Sequence, residues 1–187
     1  MNFYLFKAIF GSGPVPEKMI PASLSEDDLG VLLRVHLISE HFLQAFISAA
    51  IDKGDLYYGD TKDKEKSERG YFSKLETARS LGLPEPTFSA LQALNHARNE
   101  CVHQIENDSI KPKLVEAIEV SINQLTEHTD IDLTEQAMQT FDEYGKQLDV
   151  YEYNNPATPI RAKLLISYSC LMRRTLESLG LKSRHAF

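Results

Sequence analysis

Apolar residues recur along this chain at helical spacing, and the longest such stretch predicts a single long helix. It begins at Ser25, a residue type that caps helix N-termini, continues through the acidic residues Glu26, Asp27 and Asp28, and extends to Asp52. At about 100° per residue, its apolar side chains fall on one broad face: Leu29, Leu32, Val35, Phe42, Leu43, Phe46, Ile47 and Ala50. We expect this face to form part of the core.

The other face of the same helix mixes leucines with polar side chains: Leu33, Arg34, Leu37, Glu40, His41, Gln44 and Ser48. A half-apolar face on an otherwise buried helix indicates either a subunit interface or the wall of a cleft. A partly covered surface explains the pattern equally well, and the sequence leaves this choice open.

Interruptions of the pattern delimit the other predicted elements. Glycines and prolines predict an irregular lead-in over residues 1–24, and a charge-dense stretch predicts a mobile loop over 53–70. Further predicted helices cover 71–81, 87–106, 112–128, 133–148 and 157–180, before a tail at 181–187. Continuous alternation with period two is absent. We therefore predict an all-α helical bundle, a single domain over residues 25–180, with a long first helix and additional C-terminal helices.

Composition narrows the class of protein. The chain has 187 residues, of which 42% are apolar and 25% charged, as in a soluble globular domain. No window of about 18 uninterrupted apolar residues predicts a membrane span, and the only two cysteines, Cys101 and Cys170, form no disulfide framework. These features favour a cytoplasmic protein. The net charge of −7 argues against binding nucleic acid by bulk electrostatics, so RNA would require a local basic groove.

The most distinctive chemistry lies within residues 94–103, Leu-Asn-His-Ala-Arg-Asn-Glu-Cys-Val-His. Arg98 supplies a cation and His103 a group that moves protons near neutral pH, the two requirements of metal-free phosphodiester cleavage. Arg98 projects within the apolar stripe of its predicted helix, where a charge requires an acceptor. We predict that Glu40 of the first helix is that partner.

The histidine of this motif lies on a different side of the helix from the arginine. Asn99 and His103 are four residues apart and share a second face with His96. Arg98 and His103 are therefore about 140° apart on an ideal helix. Two copies packed across a two-fold axis would bring both sets to a shared cleft, and this predicts a homodimer.

Arg98, Asn99 and His103 match the R-(polar)-x3-H signature, so the chain resembles the HEPN superfamily of small all-helical proteins. The resemblance implies a homodimer that cleaves RNA without a metal or cofactor, with Arg98, Asn99 and His103 catalytic and Glu40 and His96 supporting. It also implies a role as the toxin of a toxin–antitoxin or defence system, with RNA as substrate and a protein antitoxin as partner. The tyrosine that some relatives carry two residues after the histidine is Ile105 here, so its modification is not expected.

Other interpretations of the same residues remain. Many HEPN-like proteins bind ligands or partners without cutting RNA, which leaves a non-catalytic binding or regulatory role as the alternative. His96 and His103 could bind a metal only with a third ligand, and none is evident on their face. Cys101 points into the apolar stripe, which favours a core cysteine over a nucleophile paired with His103.

Overall fold

A computed structural model of the protein describes residues 1–11, 22, 25, 27–54, 56–57, 70–103, 109–125, 132–142 and 144–181, with Val102 and His103 described by their backbone alone. Within these residues the chain forms six α-helices: α1 (Phe3–Gly11), α2 (Asp28–Ala50), α3 (Tyr71–Ser80), α4 (Glu85–His103), α5 (Pro112–Gln124) and α6 (Ile160–Ser178). A short 3-10 helix (Leu133–Glu135) and an antiparallel hairpin of β1 (Ala137–Phe141) and β2 (Gln147–Glu152) precede α6. The protein is mostly helical, which confirms the predicted fold class.

Helix α2 is central to the bundle. Its N-terminus is capped by Asp27, whose carboxylate accepts hydrogen bonds from the backbone N–H groups of Leu29 at 3.1 Å and Gly30 at 3.0 Å. The helix packs against α1, α3, α4 and α6, and Phe42 and Leu43 on its predicted apolar face are fully buried. The periodicity therefore predicted the helix and the burial of its apolar face, but the cap is Asp27 rather than Ser25, and His41 and Ser48 of the predicted polar face are buried as well.

The lead-in predicted over residues 1–24 is not irregular throughout, because Phe3–Gly11 forms helix α1. Phe6 and Phe10, one turn apart, stack on each other at 5.4 Å between ring centroids, and each meets Phe42 of α2 edge-on at 5.7 Å. These aromatic contacts with α2 explain why a short terminal segment is helical. Residues 12–21, where most of the glycines and prolines of the lead-in lie, are outside the described residues.

The helix predicted over residues 133–148 is wrong, since this segment forms the 3-10 helix and most of the hairpin. The chain reverses where Gly145 adopts a φ of 79°, and the Asp142 carboxylate accepts hydrogen bonds from the N–H groups of Tyr144 at 2.9 Å and Lys146 at 2.8 Å. A bulge lies between Gln139 and Phe141. The turn chemistry of these residues thus outweighs the helical spacing of their apolar side chains.

The remaining predicted helices are confirmed with small changes at their ends. The start of α6 moves from residue 157 to Ile160, because Pro159 precedes the helix in an extended conformation. Residues 104–106 of the predicted motif helix and most of the predicted loop over 53–70 are outside the described residues. No helix that the structure describes combines the length and the apolar character needed to cross a bilayer.

Candidate functional site

Helix α4 carries the motif and is held on three sides. Leu91 and Leu94 are fully buried, and α4 packs against α2, α3 and α5. Near its N-terminus, the Thr87 hydroxyl lies 2.7 Å from that of Thr175 on α6, in a fully buried pair. These contacts fix the direction in which the polar residues of the motif project.

Arg98 is partly buried and does not pair with Glu40. The Glu40 carboxylate instead lies 2.7 Å from the Lys74 ammonium of α3, whose side chain is only 6% exposed. The predicted Arg98–Glu40 pair is therefore wrong, because the Glu40 carboxylate pairs with Lys74 of α3 instead. Arg98 donates from Nη1 to Asn99 Oδ1 at 3.0 Å, and no carboxylate of the described residues forms an ion pair with it.

Two residues that the sequence did not assign to the site, His36 and Asn95, form a second hydrogen-bonded pair beside Arg98 and Asn99. His36 on α2 is 6% exposed, and its Nε2 lies 3.0 Å from Asn95 Oδ1 on α4. Because a carboxamide oxygen only accepts, Nε2 carries the proton and donates. Asn95 stands three residues before Arg98 and four before Asn99, so all three share a face of α4. That spacing was the available signal for Asn95.

The ring of His36 is fixed by Tyr71 of α3. The two rings stack at 4.2 Å between centroids. Ser39 donates to the carbonyl of His36 at 2.7 Å, which leaves its oxygen free to accept from the Tyr71 hydroxyl at 2.8 Å. No local sequence pattern links these residues, since 32 positions separate Ser39 from Tyr71.

Burial and charge together keep His36 neutral. Burial is the main cause that lowers the pKa of His36, and the positive charge of Arg98 lowers it further. The hydrogen bond to Asn95 and the negative charge of Glu40 act in the opposite direction but do not outweigh burial. The imidazole therefore acts as a neutral donor toward Asn95.

His96 belongs to a different surface cluster. Its side chain is 70% exposed and lies 3.3 Å from Glu100, which also contacts Lys111 at 3.2 Å and Lys113 at 3.5 Å. The hydrogen bond from Lys111 is the main cause that lowers the pKa of Glu100. His96 thus does not join the network around Arg98. His103 is the last residue of α4, and its side chain lies outside the described residues, so its predicted place beside Asn99 stays a prediction.

A cavity of about 200 Å³ lies between α4 and α5, on the side that carries His96 and Glu100. Apolar side chains form most of its wall, including Leu32, Ala97 and Leu114, and Cys101 lines it as well. This agrees with the expectation that Cys101 lies in the apolar stripe. Within the part of the chain that the structure describes, no group of three or more His, Cys, Asp or Glu side chains could hold a metal ion.

Comparisons of the chain with protein-family models, with curated proteins and with solved structures found no match. The described residues combine a mostly helical fold with two adjacent polar pairs, His36–Asn95 and Arg98–Asn99.

Proposed function

We propose that this protein is a HEPN-like, metal-independent endoribonuclease of the kind that serves as the toxin in a toxin–antitoxin or defence system. The observation that carries the proposal is the environment of the Arg98 side chain. Arg98 has a partly buried guanidinium, held by Asn99, with no carboxylate paired to it among the described residues. A half-buried cation without a counter-ion favours an anionic ligand, and a phosphate group accepts hydrogen bonds from a guanidinium in a bidentate manner.

The proposed reaction is attack of an RNA 2′-hydroxyl on the adjacent phosphorus. The bond from the 2′-oxygen to phosphorus forms and the bond to the 5′-oxygen breaks, which leaves a 2′,3′-cyclic phosphate and a 5′-hydroxyl. His103 transfers the proton, and Arg98 stabilises the added negative charge of the phosphorane. Asn99 orients Arg98 through its carboxamide oxygen, whereas the resemblance had assigned it to orienting His103 or the phosphate.

The site would be completed by a second copy of the chain. Leu37 is 47% exposed on the polar face of α2, and the same helix contributes His36 and Glu40 to the surroundings of Arg98. A two-fold contact through this face would bring two motifs to one cleft and cover Leu37. A protein antitoxin would inhibit by covering that cleft.

Cleavage of total RNA in the presence of EDTA tests the proposal. We expect discrete fragments with wild-type protein and none with His103→Ala or Arg98→Ala. Arg79→Ala is the matched arginine control and should cut normally, because Arg79 pairs with Glu85 and lies over the Phe88 ring rather than beside the motif. Circular dichroism of each variant separates loss of chemistry from loss of fold. Intact RNA with folded wild-type protein would contradict the proposal.

The alternative, a non-catalytic HEPN-like binding or regulatory role, is favoured by one observation. The net charge of −7 opposes RNA binding over most of the surface. Expression in cells separates the two roles: a nuclease should arrest growth while His103→Ala spares it, whereas a regulator should give the same growth with and without the substitution.

A further inference from the structure

Three side chains project from one face of α4 beside the polar network: Asn95, Arg98 and Asn99. All three are partly buried, so each retains some access to solvent. Their spacing of three and four residues places them as neighbours on the helix surface. The hydrogen bonds within the protein determine which of their polar atoms remain for a ligand.

Both carboxamide oxygens of this face are already occupied. Asn95 Oδ1 accepts from His36 Nε2 at 3.0 Å, and Asn99 Oδ1 accepts from Arg98 Nη1 at 3.0 Å. What remains are the amino groups of both asparagines and the other N–H groups of Arg98, none of which has an acceptor among the described residues. The polar groups that remain without a partner on this face are therefore mainly donors, which suits an oxyanion.

With its proton on Nε2, His36 opposes a rotation of the Asn95 carboxamide that would turn the oxygen outward. If the Asn95 carboxamide rotated by half a turn, its amino group would face the N–H of His36, donor against donor. His36 cannot turn away easily, because its buried ring is stacked on Tyr71. The nearby negative charge of Glu40 is balanced by Lys74, so the face keeps the positive charge of Arg98.

We propose that Asn95 is a phosphate-binding residue of this site and that His36 is its positioning residue. Asn95 donates to a phosphodiester oxygen next to the one that Arg98 contacts, and His36 keeps the Asn95 amino group directed toward the ligand. This inference rests on the proposed function only in naming the RNA phosphodiester as the ligand. It adds α2 to the elements that form the site.

The test uses the full chain and a fluorescent RNA oligonucleotide that carries a 2′-O-methyl group at every position. This probe offers phosphodiesters but no 2′-hydroxyl, so it binds without being cut. Asn95→Asp keeps the acceptor for His36 and replaces the amino group by a carboxylate oxygen. We expect its Kd, from fluorescence anisotropy, to rise by about 10-fold or more. Asn123→Asp on the exposed surface of α5 adds the same charge and should leave Kd within about 2-fold of wild type.

A double-mutant cycle tests the positioning role. His36→Gln retains an N–H donor and should bind nearly as well as wild type, whereas His36→Leu should weaken binding about as much as Asn95→Ala. If His36 acts through Asn95, the double variant His36→Leu/Asn95→Ala should bind no worse than Asn95→Ala alone. Independent losses that multiply would overturn the positioning role. If His36→Leu does not fold, His36→Phe, which keeps a ring against Tyr71 but has no N–H donor, takes its place in the cycle.

The outcomes separate this inference from the nuclease proposal. Equal binding by Asn95→Asp and Asn123→Asp overturns the role of Asn95, even if Arg98 and His103 are shown to cut RNA. Binding that depends on Asn95, without cleavage of unmodified RNA, supports the inference and contradicts the nuclease. If folded wild-type protein does not bind the probe even at low salt, the phosphate site itself is overturned.

Discussion

At the scale of single residues, buried charges in this bundle are neutralised by specific partners, and the clearest example is the ion pair of Lys74 with Glu40. Lys74 is the most buried partner in any ion pair of the described residues, and its ammonium lies 2.7 Å from Glu40. A second favourable contact comes from the Tyr57 ring, whose centroid is 5.7 Å from Nζ. Because burial removes most of the water around Lys74, the carboxylate of Glu40 is its principal compensation.

Removing Glu40 should therefore destabilise the protein more than removing an exposed carboxylate. We expect Glu40→Ala to lower the free energy of unfolding by about 2–3 kcal/mol, below the 3–5 kcal/mol of fully buried pairs because Glu40 is 27% exposed. Urea unfolding measures this change. Glu85→Ala, which breaks the exposed pair with Arg79, serves as the control and should cost less than about 1 kcal/mol. Equal losses would show that Lys74 does not depend on Glu40.

His36 should make stability depend on pH in one direction. Its pKa is lowered from 6.5 in the folded protein, so the unfolded chain binds more protons between the two pKa values. The contribution of neutral His36 to the free energy of unfolding is complete above pH 6.5, and it is lost as the pH falls from 6.5 toward the pKa of His36 in the folded protein. Unfolding free energies at about pH 7.5 and 5.5 should differ less in His36→Gln than in wild type. The same difference in both proteins would mean that His36 is not the group responsible.

At the scale of the elements, the hairpin depends on a small number of backbone positions. Gly145 has a φ of 79°, in the left-handed region that residues with a Cβ avoid. The Thr140 side chain is buried and accepts a hydrogen bond from the N–H of Asp149 at 3.2 Å, which links the two strands at the bulge. The turn and this link hold the hairpin where a helix was predicted.

Gly145→Ala should weaken the hairpin without affecting the helices. We expect a loss of about 1–2 kcal/mol from the strained φ, since no atom lies within 4 Å of the added Cβ. Hydrogen exchange should accelerate at the amide of Asp149 and stay unchanged in α2. Gly11→Ala is the control, because its site is equally open and its φ is not positive, and it should be neutral. Unchanged exchange at Asp149 would contradict the role of the turn.

At the scale of the whole molecule, the proposed dimer places an exposed apolar side chain at the two-fold contact. Sedimentation velocity at micromolar concentration should show a dimer for wild type and a monomer for Leu37→Asp, because a carboxylate at the centre of an interface is costly to desolvate. Val120→Asp, at a 56% exposed position on α5, should remain dimeric. A strictly monomeric wild-type protein would exclude the shared cleft, and the donors of Asn95, Arg98 and Asn99 would then belong to a site within one chain.

Hydrophobic periodicity was sufficient to predict the long helix and the burial of Leu91 and Leu94 on the motif helix. It was sufficient because a helical repeat is a local property, readable from residues three and four apart. The same reasoning failed for residues 133–148, where a glycine with positive φ and the capping carboxylate of Asp142 reverse the chain. It also missed α1, whose helical state depends on the aromatic contact of Phe10 with α2.

The residues of the candidate site show the same division between what local spacing predicted and what depended on tertiary packing. The sequence by itself identified Arg98 and Asn99 on the motif helix but assigned them to different faces, and it did not single out Asn95, although helical spacing makes Asn95 a neighbour of both. Only the tertiary structure showed that Glu40 forms its ion pair with Lys74 and that the oxygen of Asn95 accepts its hydrogen bond from His36. The physical reason is that a buried charge or amide must find a partner, and which partner reaches it depends on how separate helices pack rather than on any spacing along the chain.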